Sequence, residues 1–286
     1  FMNRLIDQQI GAKLSRFHYG LLLLSSLIYV FTAMNVLLIA TVLPPIIEEF
    51  GLSQQPLSTG LLLSAGYVGM FIGALTCGIL ADRIGRRNTI LFTVSFMSVF
   101  TALNALALDP VTMAVLRFFA GIGLGGSLPQ PGIYISEYIP TKYRGRFLGL
   151  VEASWVYGVL LAIIFSLLLF PMLGWRLTFL VALIPIGLIP AVYFFLPESL
   201  RYLQCKEKNH QATALLKKHN LVITDFKEEP ARECLKTLSV KSALKELFSK
   251  TFRKRTVVLW LSWAVLVYTY HGIFTWLPTF YYTNLN

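Results

Sequence analysis

Apolar residues in this chain come in blocks of membrane-spanning length, not in the stripes of a water-soluble core. Charge-free runs cover residues 19–47, 50–81, 88–108 and 177–197. Three further runs carry one ionisable residue each: 110–136 with Arg117, 147–175 with Glu152, and 256–286 with His271. A helix needs roughly 20 mostly apolar residues to cross the hydrocarbon layer, and all seven runs supply that length. Helix is the required conformation, because lipid offers no partner to an exposed backbone polar group. Barrel strands would be about 10 residues with strict alternation, and none of these runs alternates. The pattern predicts an all-α, polytopic membrane protein with seven spanning helices. Asp109 followed by Pro110 opens the fourth as a cap and a first-turn proline.

Between the sixth and seventh runs lies a polar insert. It divides the chain into a six-helix bundle (residues 1–197), a cytoplasmic loop with two short amphipathic helices near 206–219 and 240–250 (residues 198–255), and a seventh helix (residues 256–286). The layout is that of three plus three helices followed by the start of a second half, as in many secondary transporters. The chain opens on Phe1 and stops at Asn286 just after the seventh run, so we expect a fragment whose remaining helices are missing. The first apolar run is too long for a signal peptide and lacks a small-residue cleavage site.

Composition agrees with this pattern. Hydrophobic residues make up 56% of the chain and charged residues only 14%, against about 25% charged in a soluble domain. The net charge of +11 follows from topology. With the N-terminus in the cytoplasm, the inside segments 1–18, 81–87, 139–146 and 198–255 hold 23 of the 25 Lys and Arg, as the positive-inside rule requires. The outer connections hold Glu48, Glu49 and Asp109, with Arg176 the one cation near that face. The basic residues therefore face cytoplasm and anionic lipid heads, and nucleic acid is not an expected partner. Cys77, Cys205 and Cys234 make no disulfide framework. The four histidines are scattered, and no P-loop of the form GxxxxGK[ST] is present. No metal, cofactor or enzymatic chemistry is predicted.

The loop motifs are specific. GILADRIGRR (78–87) joins the second and third runs and matches Gly-x-x-x-Asp-Arg-x-Gly-Arg-Arg, with Gly85 suited to a tight turn. Arg117 is followed by Gly121, Gly123, Gly125 and Gly126. YISEYIPTKYRGR (134–146) carries Glu-x-x-Pro-x-x-x-Arg-Gly, and LPESLRYL (196–203) carries Pro-Glu-Ser-x-Arg. On these residues the chain resembles the major facilitator superfamily. The Pro-Glu-Ser element is similar to sugar porters. GIGLGGSLPQ, Glu152 in VEASW and YHGIFTWLP look like the aromatic-acid and niacin transporters and the synaptic-vesicle-glycoprotein-like group. In one respect the chain departs from that group, which often has aspartates in the first helix where this chain has Thr32 and Asn35.

The resemblance implies two six-helix halves rocking about a central site, with charge pairs closing an inner gate. The implied gate set is Asp82, Glu137 and Glu198 against Arg83, Arg86, Arg87, Arg144, Arg146 and Arg201. Gly78, Gly85 and Gly145 complete the motif positions. Each exposed pair is worth ~0.2–1 kcal/mol, so a network is needed to bias the two states. Small residues at Gly66, Gly69, Gly73 and Cys77, and at Gly121 and Gly125, suit close helix approach.

An ionisable group inside a span is by default a functional-site candidate. Arg117 lies about seven residues into its helix, roughly 10 Å deep, and suits a solute carboxylate. Glu152 suits a coupling proton. A structural ion pair between the two is the competing reading. Asn35, Gln130, Tyr157 and His271 complete the candidate solute and coupling set, with packing the alternative for Tyr157 and a core hydrogen bond for His271. The functional expectation is secondary transport of a small organic solute, organic acid before sugar, by proton-coupled uptake across the plasma membrane. The other reading is a non-transporting sensor on the same fold.

Overall fold

The computed structural model describes residues 14–206, and beyond them 210–211, 214–215, 247–249, 252–273, 277 and 280–281. The amphipathic helices expected near 206–219 and 240–250 lie largely outside these, as does Cys234. Every regular element among the described residues is helical. The chain divides into two compact units, residues 1–231 and 232–286.

The first unit makes six passes. The first is α1 (Arg16–Thr41), followed by the short α2 (Leu43–Glu49). The second is α3 (Pro56–Ile84) and the third α4 (Arg86–Leu103). The fourth combines α5 (Pro110–Ser127) and α6 (Gln130–Tyr138), and the fifth combines α7 (Thr141–Ala153) and α8 (Trp155–Thr178). The sixth is a 3₁₀ stretch (Phe179–Gly187) continued by α9 (Leu188–Phe195). The short α10 (Leu200–Cys205) follows. By length and composition, five unbroken helical stretches among the described residues can cross a membrane, and the longest runs Thr141–Phe195. At 1.5 Å per residue that stretch would exceed a hydrocarbon layer of about 30 Å more than twofold. It turns back at Gly174, whose φ of 72° and ψ of 172° are not helical.

The turns follow from local chemistry. Asp109 accepts hydrogen bonds from the backbone N–H of Val111 and Thr112, each at 2.9 Å, and Pro110 occupies the first turn of α5. The cap foreseen from sequence is in place. Gly85, between α3 and α4, has φ 97° and ψ 154°, a backbone region open essentially to glycine alone.

Packing inside a membrane gains little from hydrophobicity, since lipid is as apolar as leucine; close van der Waals contact takes its place. The tightest pair is α3 with α5. A Cβ added to Gly69 would strike the carbonyl oxygen of Phe118, and one on Gly73 that of Ile122. From the other side, Gly121 abuts the carbonyl of Gly66, and Gly125 that of Met70. The glycines read from sequence as a packing face form this seam. A second close approach sets Gly158 of α8 against the backbone of Val30 and Met34 in α1. The buried core joins Leu21, Ile28, Met34, Met97, Leu124, Tyr134 and Tyr138 across α1, α4, α5 and α6. Leu167, Leu168, Phe194 and Phe195 remain exposed, as expected for a surface facing acyl chains.

The second unit contains α11 (Arg253–His271). It starts three residues earlier than the apolar pattern implies, taking in Arg253, Lys254 and Arg255, and it is not among the five apolar stretches. Thr256 Oγ1 donates to the Leu247 carbonyl at 3.0 Å, and Trp260 meets Phe248 edge-on at 5.6 Å.

Candidate functional site

At the end of the bundle where α3 meets α4, the motif residues assemble into one network. The Gly85 turn brings Arg86 and Arg87 against the segment after α9. The Arg86 guanidinium Nε lies 2.8 Å from Glu137 Oε1, with both side chains 11% exposed. Ser199 Oγ donates to the second Glu137 oxygen at 2.6 Å. Glu198 Oε1 accepts from the backbone N–H of Arg87 at 3.1 Å and of Ser199 at 2.9 Å. Its carboxylate fills the space where a Cβ of residue 85 would sit. Tyr134 donates to the Pro197 carbonyl at 2.9 Å and Tyr138 to that of Glu198. Arg87 donates to the Tyr193 carbonyl at 3.3 Å, its guanidinium 5.0 Å from that residue's ring centroid. Three loop motifs far apart in sequence therefore close on one another within a single unit.

This divides the gate set read from sequence. Glu137, Glu198, Arg86 and Arg87 are held inside the bundle, and Glu198 is satisfied by backbone N–H groups instead of a guanidinium. Arg144 donates to the Ile139 carbonyl at 3.5 Å. Asp82, Arg83 and Arg146 are exposed. Among the described residues no ion pair joins any of those three. Gly78 and Gly145 have open space where a side chain would be. Arg201 lies in α10, and its side chain is outside the description.

The intramembrane candidates also separate. Arg117 is buried, 6% exposed, with Nε and Nη1 lacking a hydrogen-bond partner among the described residues. It rests on the α3 face at Gly66, with Tyr67 in electrostatic reach. Glu152 is exposed and accepts from the Tyr29 hydroxyl at 2.7 Å. The ion pair between Arg117 and Glu152 therefore does not form. The fourth pass carries Arg117 onto α3, while the fifth carries Glu152 onto α1. Asn35 is fully buried, donating to the Phe31 carbonyl at 2.9 Å with its Oδ1 unpartnered. Gln130 is buried with Oε1 in the same state, and Tyr157 is exposed. His271 ends α11 in the second unit, and its side chain is outside the description.

At Thr32 on the first pass a neutral cluster stands. The Thr32 and Ser127 hydroxyls are 3.2 Å apart, and both approach the Met97 sulfur, at 3.8 and 3.6 Å. It ties α1, α4 and α5 together without offering Arg117 a counter-charge.

Three groups were not singled out from sequence. Tyr29 is one, and Ser199 within the Pro-Glu-Ser element is another. The third is a clasp at the opposite end of the bundle. There Arg176 pairs with Glu49, Trp175 Nε1 donates to the same carboxylate, and Arg176 donates to the Ala107 carbonyl. Arg176 also stacks 4.2 Å from the Trp175 ring centroid. The signal for it was available: a lone cation beside a tryptophan on an otherwise acidic face.

Comparison with known proteins decides the family. A family described as "Sugar (and other) transporter" matches residues 18–285. The chain belongs to this family of the major facilitator superfamily. The resemblance carried by GILADRIGRR and LPESLRYL is thereby borne out. Its relatives include the niacin transporter NiaP of Acinetobacter baylyi, 34% identical over 96% of this chain and 62% of that protein. A gallate transporter of Pseudomonas putida is 32% identical over 93% of this chain and 59% of that protein. A synaptic vesicle 2-related protein of Xenopus laevis is 27% identical over 90% and 46% respectively. This transporter-family chain thus spans about three-fifths of the length of the first two. In fold it is similar to the xylose transporter XylE from E. coli, with TM-score 0.63 and 20% identity over 71% of this chain and 55% of that one. A bacterial homolog of the lysosomal transporter Spinster gives TM-score 0.65 and 19% identity over 94% and 56%.

Proposed function

We propose that this chain forms part of a secondary transporter that carries a small organic acid by alternating access, with uptake driven by protons. The observation behind the substrate class is Arg117. A buried guanidinium without an internal counter-charge is costly, and a solute carboxylate entering beside Gly66 and Tyr67 would supply the missing anion in a bidentate geometry that arginine favours. The named cargoes of the relatives, niacin, gallate, benzoate and muconate, support an organic acid ahead of a sugar. Glu152 is the one carboxylate well inside a span of the first unit, which makes it the coupling-proton site in place of the absent first-helix aspartates. The end of the bundle carrying the motif network faces the cytoplasm of a plasma membrane, since the short connections there, 81–87 and 139–146, carry six Lys and Arg, against Arg176 alone at the opposite end among the described residues of the first unit.

The test is uptake of labelled nicotinate, benzoate and xylose into liposomes holding the full-length natural protein, with and without an inward proton gradient. Gradient-stimulated uptake of an acid, with R117Q reducing it about tenfold or more, is the expected result. Uptake of xylose alone would overturn the substrate class. Binding of an acid without uptake would favour the sensor reading.

A further inference from the structure

The first and fifth passes meet along a strip carrying a tyrosine–carboxylate pair that no motif marks. Tyr29, half-buried on α1, donates its hydroxyl to Glu152 Oε2 at 2.7 Å. The Tyr29 ring lies 5.3 Å from that of Trp155. One turn away Ser154 Oγ approaches the Ser26 carbonyl at 3.3 Å, and Gly158 presses on the backbone of Val30 and Met34. The two helices are thus fixed by contacts that do not involve the hydroxyl. Glu152 itself is exposed. Among the described residues Tyr29 is its hydrogen-bond partner, and Oε1 carries none.

Among the described residues, other titratable groups on the elements packed against α7 make no bond to Glu152. On α1, His18 bonds to Ser15, and Tyr19 packs on Phe147. On α6, Tyr134 and Tyr138 bond to the carbonyls of Pro197 and Glu198, and Glu137 is held by Arg86 and Ser199. On α8, Tyr157 is exposed and makes no bond to Glu152. Among the described residues, the arginines of α7 itself, Arg144 and Arg146, are not paired with Glu152.

We propose that Tyr29 is the positioning residue of Glu152, fixing one carboxylate oxygen against α1 while the other stays open to proton and solute. This rests on the reading of Glu152 as the coupling site. The chemistry is direct. A phenol O–H donated to a carboxylate is charge-assisted and stronger than one donated to the neutral acid, so it favours the ionised form. The proton arrives at the open oxygen, the Tyr29 bond weakens, and α1 and α7 are no longer linked through a charge. No other group need move.

The experiment uses the full-length protein in lipid. Infrared difference spectra against E152Q isolate the carboxylic-acid stretch of Glu152, and its pH midpoint is followed without any solute. Y29F removes only the hydroxyl and should raise the midpoint by about one pH unit or more. S154A, which loosens the same helix pair without touching the hydroxyl, should leave it in place. E152D draws the carboxylate back from Tyr29 and should move its own midpoint upward as well, giving a second route if Y29F is not recovered. An unmoved midpoint in Y29F, or an equal shift in S154A, overturns the positioning role. The pH profile of nicotinate uptake, run in parallel, separates the two levels: a spectroscopic shift with no matching shift in uptake leaves Tyr29 as the positioner of Glu152 and removes Glu152 from coupling.

Discussion

The two ends of the six-pass bundle solve one problem in different materials. Each has a turn on a glycine that no other residue would tolerate, Gly85 at the motif end and Gly174 at the other. Each has a carboxylate beside a guanidinium. At Gly85 the space above the glycine is filled by the Glu198 carboxylate, while above Gly174 there is nothing within 4 Å. The Arg86–Glu137 pair is 11% exposed on each side, whereas Arg176 and Glu49 are 34% and 45% exposed. The motif end is thus a packed junction whose charges are desolvated and answered by backbone N–H groups. The opposite end is a clasp in contact with solvent. Charges in the first setting carry structure, and charges in the second are screened and adjustable.

The largest expected contrast comes from the turns. G85A must adopt a glycine-only conformation, costing about 1–3 kcal/mol, and must also displace the Glu198 carboxylate. G174A meets the conformational cost alone. Thermal inactivation of the purified protein in lipid should therefore drop further for G85A, and equal losses would break the comparison. Next come the carboxylates. E137Q should cost roughly 1.5–3 kcal/mol, as expected for charge-assisted bonds, with little response to added salt. E49Q should cost ~0.2–1 kcal/mol, fading as ionic strength rises; a salt-insensitive E49Q would place its clasp with the buried junction. Smallest is the α5 cap. The Thr112 hydroxyl, with the N–H groups of Thr112 and Val111, holds the Asp109 carboxyl below its usual range. A depressed pKa contributes stability that is present above the ordinary value near about 4 and lost as pH falls through the lowered one. D109N should lower stability modestly at neutral pH and flatten the acid limb of the stability–pH curve, with the two proteins converging below the lowered pKa; an acid limb unchanged in D109N would contradict the cap assignment.

Much of this was legible in the chain. The spans follow from charge-free length, and the α5 cap from Asp109-Pro110. The α3–α5 seam follows from glycines four apart, which admit a neighbouring backbone whatever its sequence. Pairings between passes were not legible. Gate charges were grouped by sign, but sign does not tell which acids are taken up within one bundle. Glu198 illustrates why: its partners are backbone N–H groups, which every residue carries and no pattern marks. Arg117 and Glu152 were candidate partners because both are lone charges in apolar runs, yet helix faces, set by the whole bundle, send them to different neighbours. Tyr29 escaped notice for a similar reason, since one tyrosine in an apolar helix reads as packing until its hydroxyl is seen to land on a carboxylate.

The glycine seam between α3 and α5 has a further consequence, for leakage. Where Gly69, Gly73, Gly121 and Gly125 set backbone on backbone, no side chain stands between the two helices to swing aside and open a crevice. Along that stretch the wall is main chain against main chain, so a solute reaching Arg117 has to arrive from beyond it and not through it. A bulky residue at Gly73 would pry the wall apart and give a membrane that slowly loses its ion gradient before the protein loses its fold.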